Sequence, residues 1–204
     1  RIFNWDVKLS YFSGWEDYPA LWINPLSGSQ STYQKVNKIG LATASSFKGI
    51  GLWTETAYVL PHKIKKMDQT GNILFSMNEP YLQSVIGADH TFENDVYFEG
   101  QYIYYGNGSL ISPYTQHTTE EKIKPGNYLM VHSSYTLNQT HTFQLTGIDN
   151  LKDKSYILMP QYTYAINQVT DLSLKAALFF GDKETEFGKL KDESLLDFSA
   201  KISF

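Results

Sequence analysis

Residues 194–204 read SLLDFSAKISF, and the alternation in this stretch indicates the class of fold. Every second side chain is apolar, and most of the side chains between them are polar or charged. Successive side chains of a β-strand point to opposite faces, so the stretch predicts a strand with one apolar and one polar face. The predicted apolar face carries Leu196, Phe198, Ala200, Ile202 and Phe204.

The same period of two recurs along the chain in segments of about ten residues, and helical periodicity is scarce. Strands of that length are long for a globular protein, but they match a tilted strand that crosses a bilayer core. We therefore predict ten strands, at 2–12, 36–47, 50–60, 81–92, 95–105, 127–137, 140–151, 155–166, 170–180 and 194–204.

The connections between the predicted strands alternate between short and long. Tight turns are predicted at 48–49, 93–94, 138–139 and 167–169. On the other side, the connections are the short segment 152–154 and the loops 13–35, 61–80, 106–126 and 181–193. Short turns on one side and long loops on the other are typical of β-barrels in bacterial outer membranes.

Pro160 interrupts the predicted strand at 155–166. A proline has no N–H group to donate to a neighbouring strand. We therefore expect a bulge or a local break in the hydrogen-bond ladder at this residue.

The composition excludes several classes of protein. The chain of 204 residues contains no cysteine, which excludes disulfides and cysteine-ligated metal sites. The five histidines are not spaced as metal ligands, so we expect neither a metal site nor another cofactor. The formal net charge of −4 argues against a nucleic-acid partner.

Aromatic residues are abundant, with 15 Tyr, 12 Phe and 4 Trp. On the predicted apolar faces many of them lie near strand ends, as in the interfacial girdles of membrane proteins. A soluble sandwich or barrel would show the same alternation with its apolar faces in a core, but strand length and aromatic position favour a membrane location. These aromatic residues are Phe3, Trp5, Tyr11, Phe47, Tyr58, Phe92, Tyr104, Tyr135, Tyr164, Phe180 and Phe204.

The C-terminal strand and the whole-chain pattern resemble the Gram-negative outer-membrane β-barrel proteins of the porin-like kind. In that class a final strand with alternating hydrophobic residues and a terminal Phe is the assembly signal read by the barrel assembly machinery. The resemblance implies this role for the apolar residues of 194–204 given above. The runs 87–92 and 98–104 also look like the hairpins of larger porin-like proteins.

The resemblance implies an all-β, antiparallel, up-and-down transmembrane β-barrel that occupies residues 1–204 as one domain. About ten strands make either a complete small barrel or the C-terminal part of a larger one, and the oligomeric state stays open. The implied location is the outer membrane, with its lipid and lipopolysaccharide as partners. The basic run Lys63, Lys65 and Lys66 is a candidate contact for lipopolysaccharide, although an ordinary exposed loop has the same composition.

The faces opposite the apolar ones carry charges of both signs. In a narrow barrel such residues form an ion-pair network that fills the interior, whereas in a wider barrel they line a water-filled pore of weak ion selectivity. We predict that the lumen is lined by Asp6, Lys8, Lys38, Glu55, Asp89, Glu99, His132, Lys175, Asp197 and Lys201.

Three functions are compatible with this pattern. The first hypothesis is a porin-like channel for the passive diffusion of small hydrophilic solutes or ions. The alternative is a filled barrel that anchors the membrane or presents its loops to a partner. A third hypothesis, an enzyme at the loop side, has acidic and His residues in 106–126 and 181–193 but no defensible catalytic constellation, so we predict no catalytic residue.

Overall fold

The computed structural model describes residues 4–17, 19–24, 26–71, 73–77, 79–110 and 124–203. These residues form strands almost throughout, with one short 3-10 helix at Gly188–Glu193. In these ranges, no helix has the length and apolar character needed to cross a membrane. The strands are β1 (Asp6–Trp15), β2 (Ala20–Asn24), β3 (Gly28–Thr32), β4 (Lys35–Phe47), β5 (Ile50–Pro61), β6 (Ile64–Met67), β7 (Ile73–Met77), β8 (Tyr81–Thr91), β9 (Tyr97–Tyr105), β10 (Gly126–Leu137), β11 (His141–Asn150), β12 (Ser155–Asn167), β13 (Thr170–Phe180) and β14 (Leu195–Ile202).

Ten of these strands form one antiparallel up-and-down sheet, and each of the ten predicted strands has its counterpart in it. The order in the sheet is β1-β4-β5-β8-β9-β10-β11-β12-β13-β14, so strands that follow one another along the chain are neighbours. The all-β antiparallel class is therefore confirmed. Strands β1 and β14 stand at the two ends of this order, so the sheet is not closed within the described residues.

Several predicted boundaries are wrong. The first strand, β1, spans Asp6–Trp15 and so continues beyond the predicted end at residue 12, whereas residues 2 and 3 of the prediction lie outside the described residues. Two connections predicted as loops contain small hairpins, β2–β3 within 13–35 and β6–β7 within 61–80. Strands of four or five residues are too short to show a clear period of two, which is why the sequence pattern missed them. Residues 111–123 of the third predicted loop lie outside the described residues.

The tight turns follow from left-handed backbone conformations. Lys48 and Gly49 have φ values of 50° and 79°, and Asn138 and Gln139 have φ values of 51° and 60°. Positive φ at both central residues is the type I′ turn that matches the twist of a hairpin. The turn predicted at 93–94 is longer: the Phe92 N–H donates to the Val96 carbonyl (2.9 Å).

Contacts divide the described chain into two compact units. The first unit holds the described residues within 1–44, 54–85 and 103–126, and the second holds those within 45–53, 86–102 and 127–203. Each unit buries a few side chains close to its long connections. These are Val36, Val59 and Tyr81 in the first unit, and Tyr128, Ile157 and Phe187 in the second.

The register of β10 to β14 sorts the side chains of the second unit into rows. On one face an apolar row runs across the five strands, and on the opposite face a polar row runs beside it. The apolar row is Tyr135, Phe143, Tyr162, Leu174 and Phe198. The polar row is Ser134, Gln144, Gln161, Lys175 and Asp197.

The apolar row is open to the surroundings. Leu174 is 42% exposed and Phe198 is 70% exposed, although both carry large apolar side chains. The neighbouring ladder pairs on this face, such as Tyr164↔Leu172, are also dominated by apolar side chains. Burying such side chains is favourable, so a contiguous exposed apolar surface is a candidate interaction face.

The break expected at Pro160 is present. The β12–β13 partners pass from Leu158↔Leu178 to Gln161↔Lys175, and Met159 and Pro160 have no partner in β13. On its other side Pro160 pairs with Leu145 of β11. The missing N–H group therefore opens the ladder on the β13 side without a change of register.

Gly49→Ala should lower the free energy of unfolding by about 1–2 kcal/mol, because a Cβ disfavours the left-handed conformation. Urea titration of the folded protein, followed by tryptophan fluorescence, measures this change. Gly100→Ala is the matched control, since a Cβ at Gly100 meets no atom within 4 Å. An equal loss in both variants would contradict the turn assignment.

Candidate functional site

The predicted lumen residues fall into groups with different surroundings. Lys8 and Glu55 line one cavity of about 350 Å³ in the first unit, together with Ser10, Gly40 and Ser84. Within the described ranges, neither Lys8 nor Glu55 has an ion pair or a hydrogen bond. We call this the Lys8 cavity.

Lys38, near the loop end of β4, is fixed by an ion pair with Glu16. Its Nζ atom lies 2.9 Å from Oε2 of Glu16, whose side chain is only 7% exposed. The hydroxyl of Tyr81 lies 3.5 Å from the other oxygen of the same carboxylate. The N–H of Glu16 donates to the Gln34 carbonyl (2.8 Å), so the β1–β4 pairing continues past Trp15.

Glu16 is a residue that the sequence reasoning missed. The sequence pattern predicts that Glu16 belongs to the loop 13–35, but Glu16 follows directly on the last residue of β1. The signal that could have found it is Trp15, which continues the alternation beyond residue 12 and places Glu16 on the same face as Lys8. Glu16 is buried while Lys38 is partly exposed, and a buried carboxylate needs a nearby positive charge, so the ion pair fixes the position of Lys38.

A polar cluster occupies the same face of β9, β10 and β11. Glu99 accepts hydrogen bonds from the Tyr97 hydroxyl (3.1 Å) and from the side-chain amide of Gln101. The His132 ring lies 6.1 Å from the Tyr97 ring, and its Nδ1 atom is 2.8 Å from Oγ1 of Thr146. The carboxylate of Glu99 is thus satisfied by neutral donors.

The carboxylate of Asp89 in β8 packs against Gly51 of the neighbouring strand, where the absence of a side chain leaves room for it. A Cβ built on Gly51 would lie 2.6 Å from Oδ2 of Asp89. Any larger residue at Gly51 would therefore displace the carboxylate.

A second and larger cavity lies beside the polar row of the second unit. Its volume is about 540 Å³, and Lys175, Asp197, Gln144, Gln161 and His132 are among the residues that line it. Lys175 and Asp197 are direct partners across the β13–β14 ladder. Among the residues that the structure describes, however, no ion pair or hydrogen bond involves either of them. We call this the Lys175 cavity.

The two remaining predicted lumen residues lie near the turn ends of the edge strands. Asp6 pairs with Ala44 in the β1–β4 ladder. Lys201 faces Asp171 across the β13–β14 ladder, and the Ser173–Ser199 pair separates these two residues from Lys175 and Asp197 on the polar face. The register thus brings opposite charges together twice on this face.

The predicted assembly residues share the apolar face of β14. Leu196, Phe198, Ala200 and Ile202 pair with Ala176, Leu174, Leu172 and Thr170, respectively. Phe204, the last residue of the predicted set, lies outside the described residues. The prediction that these residues form an assembly signal stays a prediction.

A cluster of rings lies on the apolar face near the 138–139 turn. The His141 ring stacks on Tyr164 at 4.9 Å and on Tyr162 at 6.0 Å. Its Nδ1 atom lies 2.7 Å from the Tyr162 hydroxyl. Rings with one polar tip suit a boundary between an apolar phase and water.

The loop between β13 and β14 is docked by two carboxylates. Glu186 accepts hydrogen bonds from the Tyr128 hydroxyl (2.6 Å) and from the Asn150 amide (2.8 Å). Its own N–H donates to Asp153 (2.7 Å), which also accepts from the Ser155 hydroxyl (2.6 Å). We call these five residues the Glu186 latch.

Phe187 completes the attachment of this loop. It is 1% exposed, its ring lies 6.3 Å from the Tyr128 ring, and its N–H donates to Ser155 Oγ (3.2 Å). The sequence predicts only a long external loop at 181–193. It missed the docking because an isolated Glu-Phe pair in a polar loop carries no period, and the partners come from distant strands.

Comparison of the chain with protein-family models, with curated proteins and with solved structures gave no match. Within the described ranges, no three His, Asp or Glu residues are grouped so that they could hold a metal ion.

Phe187→Ala should lower the free energy of unfolding by about 3–5 kcal/mol, because it leaves a cavity against Tyr128. Chemical denaturation measures the loss. Lys189→Ala, an exposed position in the same loop, is the control and should change stability by less than about 0.5 kcal/mol. Similar values for the two variants would show that the loop is not docked in solution.

Proposed function

We propose that the chain is a transmembrane β-barrel of a Gram-negative outer membrane and that it acts as a porin-like channel for small hydrophilic solutes or ions. The observation that carries the proposal is the sorting of side chains between the two faces of one antiparallel sheet. The apolar row that includes Leu174 is exposed, and the polar row that includes Lys175 lies on the opposite face.

A bilayer accounts for the exposed apolar face. In a membrane barrel, lipid-facing apolar residues alternate with lumen-facing polar residues along every strand. The ring cluster of His141, Tyr162 and Tyr164 then lies at the membrane–water boundary on the short-turn side. The long connections are assigned to the outer surface, where lipopolysaccharide is the expected partner.

A bilayer also requires that the edges of the sheet be paired. Hydrocarbon offers no partner for an N–H or C=O group, so open strand edges do not occur at membrane depth. We infer that β1 and β14 are each paired in the membrane, either with one another or with further strands. The apolar residues of β14, from Leu196 to Ile202, support a role in recognition by the assembly machinery.

The state of the charges favours a water-filled lumen over a filled one. A charge that is buried without a partner is strongly destabilising, so an interior that is plugged by side chains needs paired charges. Of the predicted lumen residues, Lys38 has such a partner, whereas Lys8, Glu55, Lys175 and Asp197 have none among the described residues. Water in an open lumen would solvate these four side chains.

A filled barrel that serves as an anchor or an interaction protein is the second candidate. The docked loop favours it, because the Glu186 latch and Phe187 fix one long connection against the strands. The same contacts are compatible with a channel whose mouth is narrowed by a rigid loop. Conductance separates the two candidates.

The purified, refolded chain should insert into planar lipid bilayers. At a constant applied voltage in 1 M KCl, each insertion should raise the current by a discrete step. Weak selectivity between K⁺ and Cl⁻ is expected, because the lumen residues carry both signs in similar number. The boiled protein is the control and should be silent. A protein that migrates as folded on an unheated gel but never conducts would contradict the channel and favour the filled barrel.

Leu174→Lys should destabilise the protein in lipid bilayers by roughly 2–4 kcal/mol, because it places a charge among hydrocarbon chains. Ser173→Lys is the matched control, since Ser173 lies on the polar face, 3.1 Å from Thr163. Reversible unfolding in guanidinium from lipid vesicles measures both. A near-neutral Leu174→Lys would overturn the assignment of faces.

A further inference from the structure

Two oppositely charged side chains line the Lys175 cavity, and they lie close together without forming an ion pair. Lys175 and Asp197 are directly opposite in the β13–β14 ladder, where Cβ atoms lie roughly 5 Å apart. Within the described part of the chain, neither side chain makes an ion pair or a hydrogen bond. A solute with both charges a few ångströms apart can therefore meet both side chains at once.

The walls of the cavity add hydrogen-bonding and apolar groups. Gln144 and Gln161 continue the polar row, and each side-chain amide offers both a donor and an acceptor. Met159, Pro160 and Leu195 form an apolar part of the lining. A volume of about 540 Å³ is within the range of small-molecule sites.

The cavity lies where the strand ladder is open. Met159 and Pro160 have no partners in β13, and the positions opposite them are the small residues Ala176 and Ala177. The small side chains of Ala176 and Ala177 line the cavity beside Lys175, at the point where this pairing is interrupted.

We propose that the Lys175 cavity is a binding station for small aliphatic amino acids. The ammonium group of the solute contacts Asp197, its carboxylate contacts Lys175, and its side chain lies against the apolar wall. A simple ion meets one attraction and one repulsion at this place, whereas a zwitterion meets two attractions. This inference rests on the proposed channel function and names the class of solute that the channel favours.

The test is the block of ion current through single channels by L-valine. Its matched analogues are isobutylamine, which lacks the carboxylate, and isovalerate, which lacks the ammonium group. We expect L-valine to reduce the current in the millimolar range, since a solute that must leave again binds weakly. The analogues at equal ionic strength should block at least about tenfold less well, as expected for the loss of one charge-assisted contact.

Variants assign the block to the two charges. Lys175→Met and Asp197→Asn should each raise the half-blocking concentration of L-valine about tenfold or more. Asp171→Asn and Lys201→Met are the controls, because this second pair of opposite charges lies on the same face but does not line the cavity. The double variant Lys175→Asp/Asp197→Lys keeps both charges and should restore the block.

Each outcome bears on one of the two proposals. Two results would overturn the amino-acid station but leave the channel intact. In the first, L-valine blocks open channels no better than its analogues do. In the second, the control variants weaken the block by L-valine as much as the variants of Lys175 and Asp197. Folded protein that never conducts contradicts the channel. In that case titration calorimetry of L-valine with the folded protein in detergent still tests the station, and an absence of binding overturns it.

Discussion

The antiparallel register of β10 to β14 is the constraint on which the other features depend. Because side chains alternate between faces, a shift of one residue in the β12–β13 or β13–β14 ladder would place Leu174 among polar side chains and Lys175 among apolar ones. The observed register instead aligns Tyr162, Leu174 and Phe198 in one row and Gln161, Lys175 and Asp197 in the other. The sorting of faces, the open cavity and the pairs of opposite charges all follow from it.

The charged side chains of the polar face differ in their surroundings along the chain. Where Lys38 meets Glu16, a buried carboxylate fixes the ammonium group, and where Glu99 meets Tyr97, neutral donors satisfy the carboxylate. Beside Pro160, the open ladder leaves room and the charges stay apart. This difference supports the proposed channel with a water-filled lumen, since charges without partners are tolerated only where they are solvated.

The sequence predicted what depends on local periodicity and missed what depends on contacts between distant segments. The strand at 170–180 was found with its exact bounds, because alternation and turn residues mark both ends. The break at Pro160 was found because it follows from one missing donor. Glu16, the Glu186 latch and Phe187 were missed, since their partners come from strands or turns that no periodic pattern connects to them. The short hairpins β2–β3 and β6–β7 were missed because they are too brief to show a period.

The most direct test of the account is a spin-label scan through residues 171–179 of β13 in lipid vesicles. Because the chain has no cysteine, a single cysteine can be introduced at each position and labelled there alone. The account predicts that oxygen accessibility is high at the even positions, including Leu174, and that accessibility to a water-soluble nickel complex is high at the odd positions, including Lys175. High accessibility to the nickel complex on both faces, or no alternation, would contradict the claim that the apolar face contacts lipid.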